Sequence, residues 1–321
     1  MISNEKVALF FTSNVNNKQK INSKIMRDEF VDDFVDSLEI DGLEIYDRIG
    51  YGNFGSVFLG CYHDQDVAVK VMLDNENALR HEKSILQKIK GCKNAIRIID
   101  ADFPYPIILM EYKESIPESA LVSEMNLEKI KIILKSILEC LAEVHECGVV
   151  HQDVKLSNIL VSDDFSEVTL TDWGCAHFLT DNLTPFIGSR LYRSPEMLIG
   201  AKNYREKGDI WAVGVIILNL LTNGNLPWNA TNDAKQLVEM VKIYGKEKIL
   251  AYAERLEVKI RPNIMEMFDD SISKSIEESF AENKKELQDE LLLDLMNKLL
   301  TFDMNERPTA RQALQHQFFQ V

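Results

Sequence analysis

The chain contains 321 residues, of which 36 are lysine or arginine and 51 are aspartate or glutamate, so its formal net charge is −15. Hydrophobic residues make up 45% of the sequence, which is sufficient for one large domain or two lobes. The excess of acidic residues argues against general nucleic-acid binding, which requires a basic face to neutralise phosphates. It does not exclude an enzyme that binds a nucleotide through a metal ion and a local group of donors.

The sequence contains no evident membrane or secretory signal. The longest strongly apolar run, Trp211 to Leu221, is about half as long as the ~20 residues that a membrane span requires. Residues 1–20 lack an apolar core followed by a small-residue cleavage site. The five cysteines form no C-x-x-C pair, which favours a reduced compartment. We therefore expect a soluble intracellular protein, with no direct contact to membrane or nucleic acid.

The pattern of apolar and polar residues changes near residue 43. Residues 1–43 are polar and uneven, which predicts an extension that is partly helical at best. The segment LEIYDRIGYGNFGSVFLGCYHDQDVAVKVM then alternates apolar and polar positions, which predicts antiparallel strands joined by hairpins. NALRHEKSILQKIKG has helical spacing, and AIRIIDA and PIILMEY predict two further strands.

The rest of the chain, beyond Pro117, is mainly helical. LEKIKIILKSILECLAEVHECG predicts a long amphipathic helix, and IWAVGVIILNLLTNG predicts a buried one. The acidic region Met265 to Glu290 is interpreted as a solvated insertion. A small strand-rich lobe followed by a larger helical lobe is an α+β arrangement, and the cleft between two lobes is a natural ligand site.

Three glycines mark the first candidate site. Gly50, Gly52 and Gly55 form G-Y-G-N-F-G, and Val57 follows. A G-x-G-x-x-G motif also occurs in dinucleotide-binding folds, but there the glycines open a helix, whereas this segment continues as a strand. A glycine-rich hairpin brings bare backbone N–H groups against phosphate oxygens. An ordinary hairpin turn is the alternative.

A lysine and a glutamate follow at a suggestive spacing. Lys70 ends V-A-V-K, fifteen residues after Gly55, and Glu82 lies on the next predicted helix. A carboxylate from a neighbouring helix can hold a lysine that binds phosphates. A lone Lys–Glu pair, by contrast, is more often a surface ion pair of little consequence.

The most specific motifs are H-Q-D-V-K-L-S-N, starting at His151, and T-D-W-G, starting at Thr171. Their acidic and amide groups suit phosphoryl transfer. In that interpretation Asp153 accepts the hydroxyl proton, Lys155 neutralises the γ-phosphate, and Asn158 and Asp172 bind the Mg²⁺ that bridges the ATP phosphates.

Together these motifs resemble those of eukaryotic-type protein kinases across residues 44–319, and S-P-E at Ser194, D-I-W at Asp209 and the late Arg307 match further motifs of that family. The resemblance implies a two-lobed kinase fold, with an N-lobe over about residues 44–111 and a C-lobe over about 112–319. It implies ATP and Mg²⁺ as cofactors and proteins as substrates. The further ATP-site residues that it implies are Ile49, Val57, Ala68, Met110, Glu111 and Tyr112.

The substrate side of the site resembles that of serine/threonine kinases. There the hydroxyl at the Ser189 position bonds to the catalytic aspartate and lysine. Arg190 and Arg193 are candidates for pairing with a carboxylate or phosphate next to the target hydroxyl. Ordinary ion pairs within the protein are the alternative for both arginines.

Two departures from the family pattern narrow the subfamily. Gln152 replaces the usual arginine, so activation through phosphorylation of Thr180 or Thr184 is not expected. Trp173 replaces the usual phenylalanine, as in the casein kinase II catalytic subunit. The segments GCKNAIRIIDA, GSRLYRSPE and NDAKQLVEMVKIYG resemble the cell division cycle 7 kinase, which we rank first. That resemblance implies a replication-initiation role, a regulatory subunit, acidic target sites and a nuclear or cytoplasmic location.

Two other classes of protein were weighed. A pseudokinase scaffold is expected to lack one of the four groups Lys70, Asp153, Asn158 or Asp172, and the sequence retains all of them. A nicotinamide-dependent enzyme requires a strand–turn–helix order around the glycines that this sequence does not have.

Overall fold

The computed structural model describes residues 30–52, 55–73, 75–123, 125–180, 187–269, 275–281 and 287–320. Its N-terminal lobe is built on one five-stranded antiparallel sheet with the strand order β1-β2-β3-β5-β4. The strands are β1 Leu43–Gly52, β2 Gly55–Tyr62, β3 Gln65–Val71, β4 Ile98–Asp100 and β5 Ile107–Glu111. The helix Glu76–Lys88 connects β3 to β4 and begins at Asn75, whose side chain accepts a hydrogen bond from the Ala78 amide.

In β2, β3 and β5, successive side chains point to opposite faces of the sheet. Strand register places Val57 opposite Lys70, and Ala68 opposite Met110. Because paired residues share a face, these side chains line the face that is turned toward the helical lobe. The outer face carries a separate apolar cluster, which comprises Phe58, Val67, Val69, Val71, Ile107 and Leu109.

A short helix over residues 30–36 covers part of this outer face. Val31, Phe34 and Val35 pack against the apolar cluster, and the ring of Phe34 lies edge-on to Tyr105 at 6.4 Å. Part of the predicted polar extension is therefore packed on the lobe, because its apolar residues recur at helical spacing. Residues 1–29 lie outside the described residues.

The C-terminal lobe is mainly helical, as predicted. Its central helix, Lys207–Leu221, is buried almost all round, which explains its nearly continuous apolar sequence. It contacts the long helix Leu127–Glu146 and the helix Glu290–Leu299. The remaining α-helices are Glu118–Ser123, Pro195–Ile199, Asp233–Tyr244, Lys246–Arg255, Pro262–Met265, Ile276–Phe280 and Ala310–Ala313. This lobe also contains two small strand pairs, β6 Val149–Val150 with β9 His177–Phe178 and β7 Ile159–Val161 with β8 Val168–Leu170. Leu170 of β8 forms a bridge with Ala95, which precedes β4 of the N-terminal sheet.

The interpretation of Met265 to Glu290 as a solvated insertion is wrong for several of its residues. Phe268, Ile276, Phe280 and Leu287 are buried in the main core of the lobe. Their apolar side chains anchor a segment whose acidic residues had suggested full solvation. Among the described helices, none is both long enough and apolar enough to cross a membrane.

Candidate active site

Lys70 lies at the centre of the cleft between the lobes. Its Nζ is 2.6 Å from Oε1 of Glu82 and 3.1 Å from Oδ1 of Asp172, and its side chain is 5% exposed. Burial by itself lowers the pKa of Lys70, but the two carboxylates outweigh it and raise the pKa above its ordinary value. Lys70 therefore stays charged and holds one group from each lobe.

Glu82 lies on the buried side of the helix Glu76–Lys88, and this side of the helix faces Lys70. Ile85 and Leu86, three and four residues further on, are buried in the core. The neighbouring His81 bonds through Nε2 to the carbonyl oxygen of Ala176, at 2.8 Å. This contact, which the sequence did not reveal, joins the helix to the segment that follows Asp172.

The glycine motif forms the predicted β-hairpin. β1 and β2 pair in antiparallel register, with Gly50 opposite Val57 and Gly52 opposite Gly55. Gly55 has a φ of +122°, and an added Cβ atom there comes 2.3 Å from the carbonyl oxygen of Val71. Glycine is therefore required at this position. The strand–turn–strand order excludes the dinucleotide-binding alternative; residues 53 and 54 at the tip lie outside the described residues.

The loop around Asp153 is held by a set of hydrogen bonds. One carboxylate oxygen of Asp153 accepts the Ser189 amide at 2.6 Å, and the other accepts Lys155 Nζ at 2.7 Å. Lys155 also donates to the Ser189 hydroxyl at 2.9 Å. The Asn158 amide donates to the Asp153 carbonyl oxygen at 2.8 Å. Gly188 allows this approach, since its φ is +71° and an added Cβ atom comes 2.0 Å from the Gln152 carbonyl oxygen.

Asp209, from the buried central helix, supports this loop from beneath. Its carboxylate accepts the backbone amides of His151 and Gln152 at 2.9 and 2.8 Å, and His145 Nε2 lies 2.9 Å away. Burial alone raises the pKa of Asp209, but the bond from His145 and the other partners lower it below its ordinary value. The carboxylate is therefore ionised at neutral pH. The D-I-W motif identified Asp209, but no local pattern in the sequence indicated its partner His145.

Gln152 and Trp173, the two departures from the family pattern, are both buried. Both polar side-chain atoms of Gln152 have no hydrogen-bond partner among the described residues, and the side chain lines a cavity of about 10 Å³. That volume suits roughly one water molecule. Trp173 packs on the ring of His151 at 4.5 Å, and its turn contacts the helix that carries Glu82.

Asp172 and Asn158 form a group that fits a metal ion. The backbone amide of Thr171 donates to the Asn158 carbonyl oxygen at 2.9 Å, which holds the residue before Asp172 against Asn158. Burial raises the pKa of Asp172, but Lys70 more than offsets this effect and holds the pKa below its ordinary value. The Asn158 amide nitrogen is used by Asp153, which leaves its side-chain oxygen as the acceptor. A carboxylate and an amide oxygen are suitable ligands for Mg²⁺.

The predicted adenine site lies on the inner face of the sheet. Ala68 and Met110 are buried opposite each other on β3 and β5, and Val57 is half-buried beside Lys70. Ile49 is exposed on β1. The Glu111 carboxylate accepts the Arg97 backbone amide at 3.0 Å, and the Glu111 amide donates to the Arg97 carbonyl oxygen at 2.9 Å. The side chain and the N–H of Glu111 are therefore directed to Arg97, and the adjacent Tyr112 is half-buried.

The two predicted substrate arginines have different surroundings. Arg193 is buried, and its guanidinium donates to the carbonyl oxygens of Ile187 and Gly188 and to the Asp233 carboxylate. The assignment of Arg193 to a substrate acid does not fit these contacts, because its donors are already directed into the loop. Arg190 donates to the Ala230 carbonyl oxygen at 3.0 Å, lies 3.4 Å from Asp233, and has a side chain 38% exposed.

Asp233 is the main residue of this region that sequence reasoning missed. It occupies the first turn of the helix Asp233–Tyr244, where the side chain of Asn232 caps the helix. The segment NDAKQ carries the local signal for this helix start, but its contact with arginines forty residues earlier is a tertiary feature.

The strand-rich lobe, the cleft lysine and the Asp–Lys–Asn loop define a phosphotransferase of the two-lobed kinase class. The family model described as the protein kinase domain matches residues 43–319. The chain therefore belongs to the protein kinase family.

Proposed function

We propose that the protein is an ATP- and Mg²⁺-dependent kinase that phosphorylates serine and threonine side chains of other proteins. The observation that carries this proposal is the position of Lys155, whose Nζ lies 2.7 Å from Asp153 and 2.9 Å from the Ser189 hydroxyl. This arrangement joins the base, a cation and the substrate-side loop in one hydrogen-bonded unit.

Each residue of the unit has a role in phosphoryl transfer. Asp153 accepts the proton of the attacking hydroxyl, and Lys155 places positive charge beside the transferred phosphoryl group. Lys70, held by Glu82, binds the phosphates of the nucleotide. Asp172 and Asn158 would hold Mg²⁺, which when bound offsets the negative charge of the phosphates.

Preference for serine and threonine is supported by the Ser189 loop. The Ser189 amide and hydroxyl are both bonded to the Asp153–Lys155 pair, so the loop lies directly against the base. A serine or threonine side chain is short enough to bring its hydroxyl to a base that lies this close to the Ser189 loop. A tyrosine side chain is longer and requires a deeper substrate site.

The proposal also includes a preference for target sites with acidic residues. Among the residues of the chain, this preference is supported by Arg190 alone. Its partly exposed guanidinium is the candidate for a carboxylate or phosphate that follows the target hydroxyl. The net charge of −15 gives no long-range attraction for acidic proteins. Such a preference therefore has to come from this local arginine or from a partner subunit.

We also propose that the protein is a cell division cycle 7-type kinase with a regulatory subunit and a role in replication initiation, located in the nucleus, the cytoplasm or both. The segments around Cys92, Ser189 and Asp233 support this subfamily. The casein kinase II type is the second candidate, and the tryptophan at position 173 in place of the usual phenylalanine favours it. Affinity purification of the tagged chain tests the proposal: a stoichiometric partner supports the first type, and an active chain without such a partner supports the second.

The catalytic proposal is tested with Asp153→Asn. We expect this variant to retain binding of ATP–Mg²⁺, measured with a fluorescent nucleotide, and to transfer no phosphate to a peptide library. Asp102→Asn, which changes an exposed ion pair with Lys83, is the matched control and should keep full activity. A wild-type protein that binds ATP–Mg²⁺ but labels no protein would establish a scaffold instead.

The same peptide library measures the preference for serine and threonine over tyrosine at the target position. Peptides with serine or threonine at the target position should be labelled, and the tyrosine versions should not. An acidic residue after the target should increase labelling, and Arg190→Gln should reduce this gain. Equal labelling with alanine after the target contradicts the acidic preference while leaving the kinase activity in place.

A further inference from the structure

Two cysteines that are far apart in the sequence lie close together in the fold. Sγ of Cys92 lies 3.7 Å from Sγ of Cys147, although 55 residues separate them. Both side chains are half-buried, whereas Cys140 and Cys175 are buried. All five cysteines are free thiols. The phosphoryl-transfer mechanism uses neither Cys92 nor Cys147.

The loop after Cys92 is docked firmly on the helix that ends at Cys147. The Lys93 amide donates to Oε2 of Glu143 at 2.6 Å, and Lys93 Nζ lies 2.7 Å from Glu139. The side-chain amide of Asn94 donates to the Ser136 carbonyl oxygen at 3.0 Å. These bonds join the loop to three successive turns of the helix, so they keep the two sulfur atoms close together.

The same loop is bonded to the strand that leads into the active site. The Asn94 carbonyl oxygen accepts the Leu170 amide at 2.7 Å, and the Ile96 amide donates to the Leu170 carbonyl oxygen at 3.0 Å. Leu170 ends β8, two residues before Asp172. Cys147 in turn lies just before β6, which leads to the loop of Asp153. The thiol pair is therefore connected to both catalytic segments through short stretches of chain and hydrogen bonds.

We propose that Cys92 and Cys147 are a redox modification site that forms a reversible disulfide. A disulfide has an S–S distance of about 2.0 Å, so closure requires the sulfur atoms to approach by about 1.7 Å. We expect rotation of the two side chains to supply this movement. The oxidant is a peroxide, and a dithiol reductant restores the thiols.

The chemistry balances as a two-electron oxidation. The sulfur of one cysteine attacks an oxygen of hydrogen peroxide, the O–O bond breaks, and a sulfenic acid and one water form. The sulfur of the second cysteine then displaces the sulfenic hydroxyl, which leaves as a second water as the S–S bond forms. The two thiols lose two electrons and two protons, and the peroxide gains them.

The surroundings of Cys92 affect the rate of this oxidation. Burial, together with the contact to Cys147 and the charge of Glu143, raises the pKa of Cys92 to about 12. Cys92 is therefore protonated at neutral pH, and its thiolate is rare. Oxidation is expected to be slow at neutral pH and faster under mildly alkaline conditions.

The test uses the purified full chain treated with hydrogen peroxide at mildly alkaline pH and digested without reduction. Mass spectrometry should detect the Cys92 peptide linked to the Cys147 peptide, and dithiothreitol should separate them. Cys147→Ser should abolish the linked peptide, whereas Cys61→Ser, which changes a thiol on β2, should retain it. Cys92 and Cys147 that remain alkylatable, or that form separate sulfinic acids, would overturn the proposal.

A stability measurement gives an independent readout. Because the bond closes a long loop between the two cysteines, the thermal midpoint of the oxidised chain should rise by about 5 °C or more. Reduction should reverse the rise, and Cys147→Ser should not show it. An unchanged midpoint in a cross-linked chain would show that the bond does not form within the folded arrangement, which contradicts the proposed geometry.

Discussion

Lys70 and Glu82, which lie twelve residues apart, form an ion pair 2.6 Å long whose side chains are 5% and 1% exposed. Because both charges are buried, neither has water as an alternative partner, and the pair couples the position of the helix Glu76–Lys88 to the lysine on β3. Asp172 completes the arrangement at 3.1 Å from Lys70.

Replacing Glu82 should therefore impair catalysis far more than replacing an exposed glutamate of the same helix. In Glu82→Gln, Lys70 loses its neutralising partner and is drawn toward Asp172, and we expect kcat/KM to fall about 100-fold. Steady-state peptide phosphorylation measures the effect. Glu76→Gln, which removes a pair with Arg80 whose side chains are both 71% exposed, should change it less than about twofold. Similar values for the two variants would contradict the proposed role of Glu82.

The hydroxyl of Ser189 should contribute to turnover. Ser189→Ala removes the hydrogen bond from Lys155, and a bond to a charged group of this kind corresponds to a loss of about 10- to 100-fold. Ser189→Thr keeps the hydroxyl and should recover most of the activity. Ser166→Ala, whose hydroxyl bonds to Asp164 on the exposed β7–β8 turn, serves as the control. If Ser189→Ala turns over like the wild type, this hydrogen bond has no role in catalysis.

Activity should not depend on phosphorylation of the segment after Asp172. The uncharged, buried Gln152 offers no cation to a phosphate group, so the double variant Thr180→Ala with Thr184→Ala should keep most of its turnover. Thr180 lies within the described residues and Thr184 outside them. Turnover before and after phosphatase treatment provides a second measurement. A collapse of activity in the double variant would refute this prediction.

The pair of Arg307 and Glu196 should dominate the stability of the C-terminal lobe. Two hydrogen bonds of 2.7 and 3.1 Å join the side chains, which are both fully buried. Arg307→Ala leaves the Glu196 carboxylate buried without its partner, and the free energy of unfolding should fall by about 3–5 kcal/mol. Arg311→Ala breaks an exposed pair with Glu146 and should cost less than about 1 kcal/mol. Urea unfolding distinguishes the two; equal losses would be inconsistent with the buried geometry.

Asp209 should make stability depend on pH in the acidic range. Its folded pKa lies below the ordinary 3.8, so its contribution is present above that value and is lost as the pH falls through the folded pKa. Asp209→Asn should therefore be less stable than the wild type at neutral pH, and the difference should narrow on acidification. Unfolding free energies measured from neutral pH downward test this. A constant difference at every pH would show that the charge of Asp209 is not responsible.

Much of the catalytic arrangement was predictable because its signals are local. The glycine hairpin, the inner face of β3 and the loops around Asp153 and Asp172 each lie within short segments whose residue types and spacing match one task. One prediction needed correction, because the region around Phe268 and Phe280 is anchored in the core. For Arg193, the contact with Asp233 favours the alternative of an ion pair within the protein. Both depend on partners that no local pattern contains.

The amino-acid sequence by itself determined the order of the lobes, the faces of the strands and the identity of the chemical groups, because alternation and motif spacing are properties of neighbouring residues. Only the tertiary structure decided which distant groups meet. His145 with Asp209, Arg193 with Asp233, and Cys92 with Cys147 are separated by 64, 40 and 55 residues. Their distances follow from how helices and loops pack around one core, and packing depends on the shapes of all the side chains together.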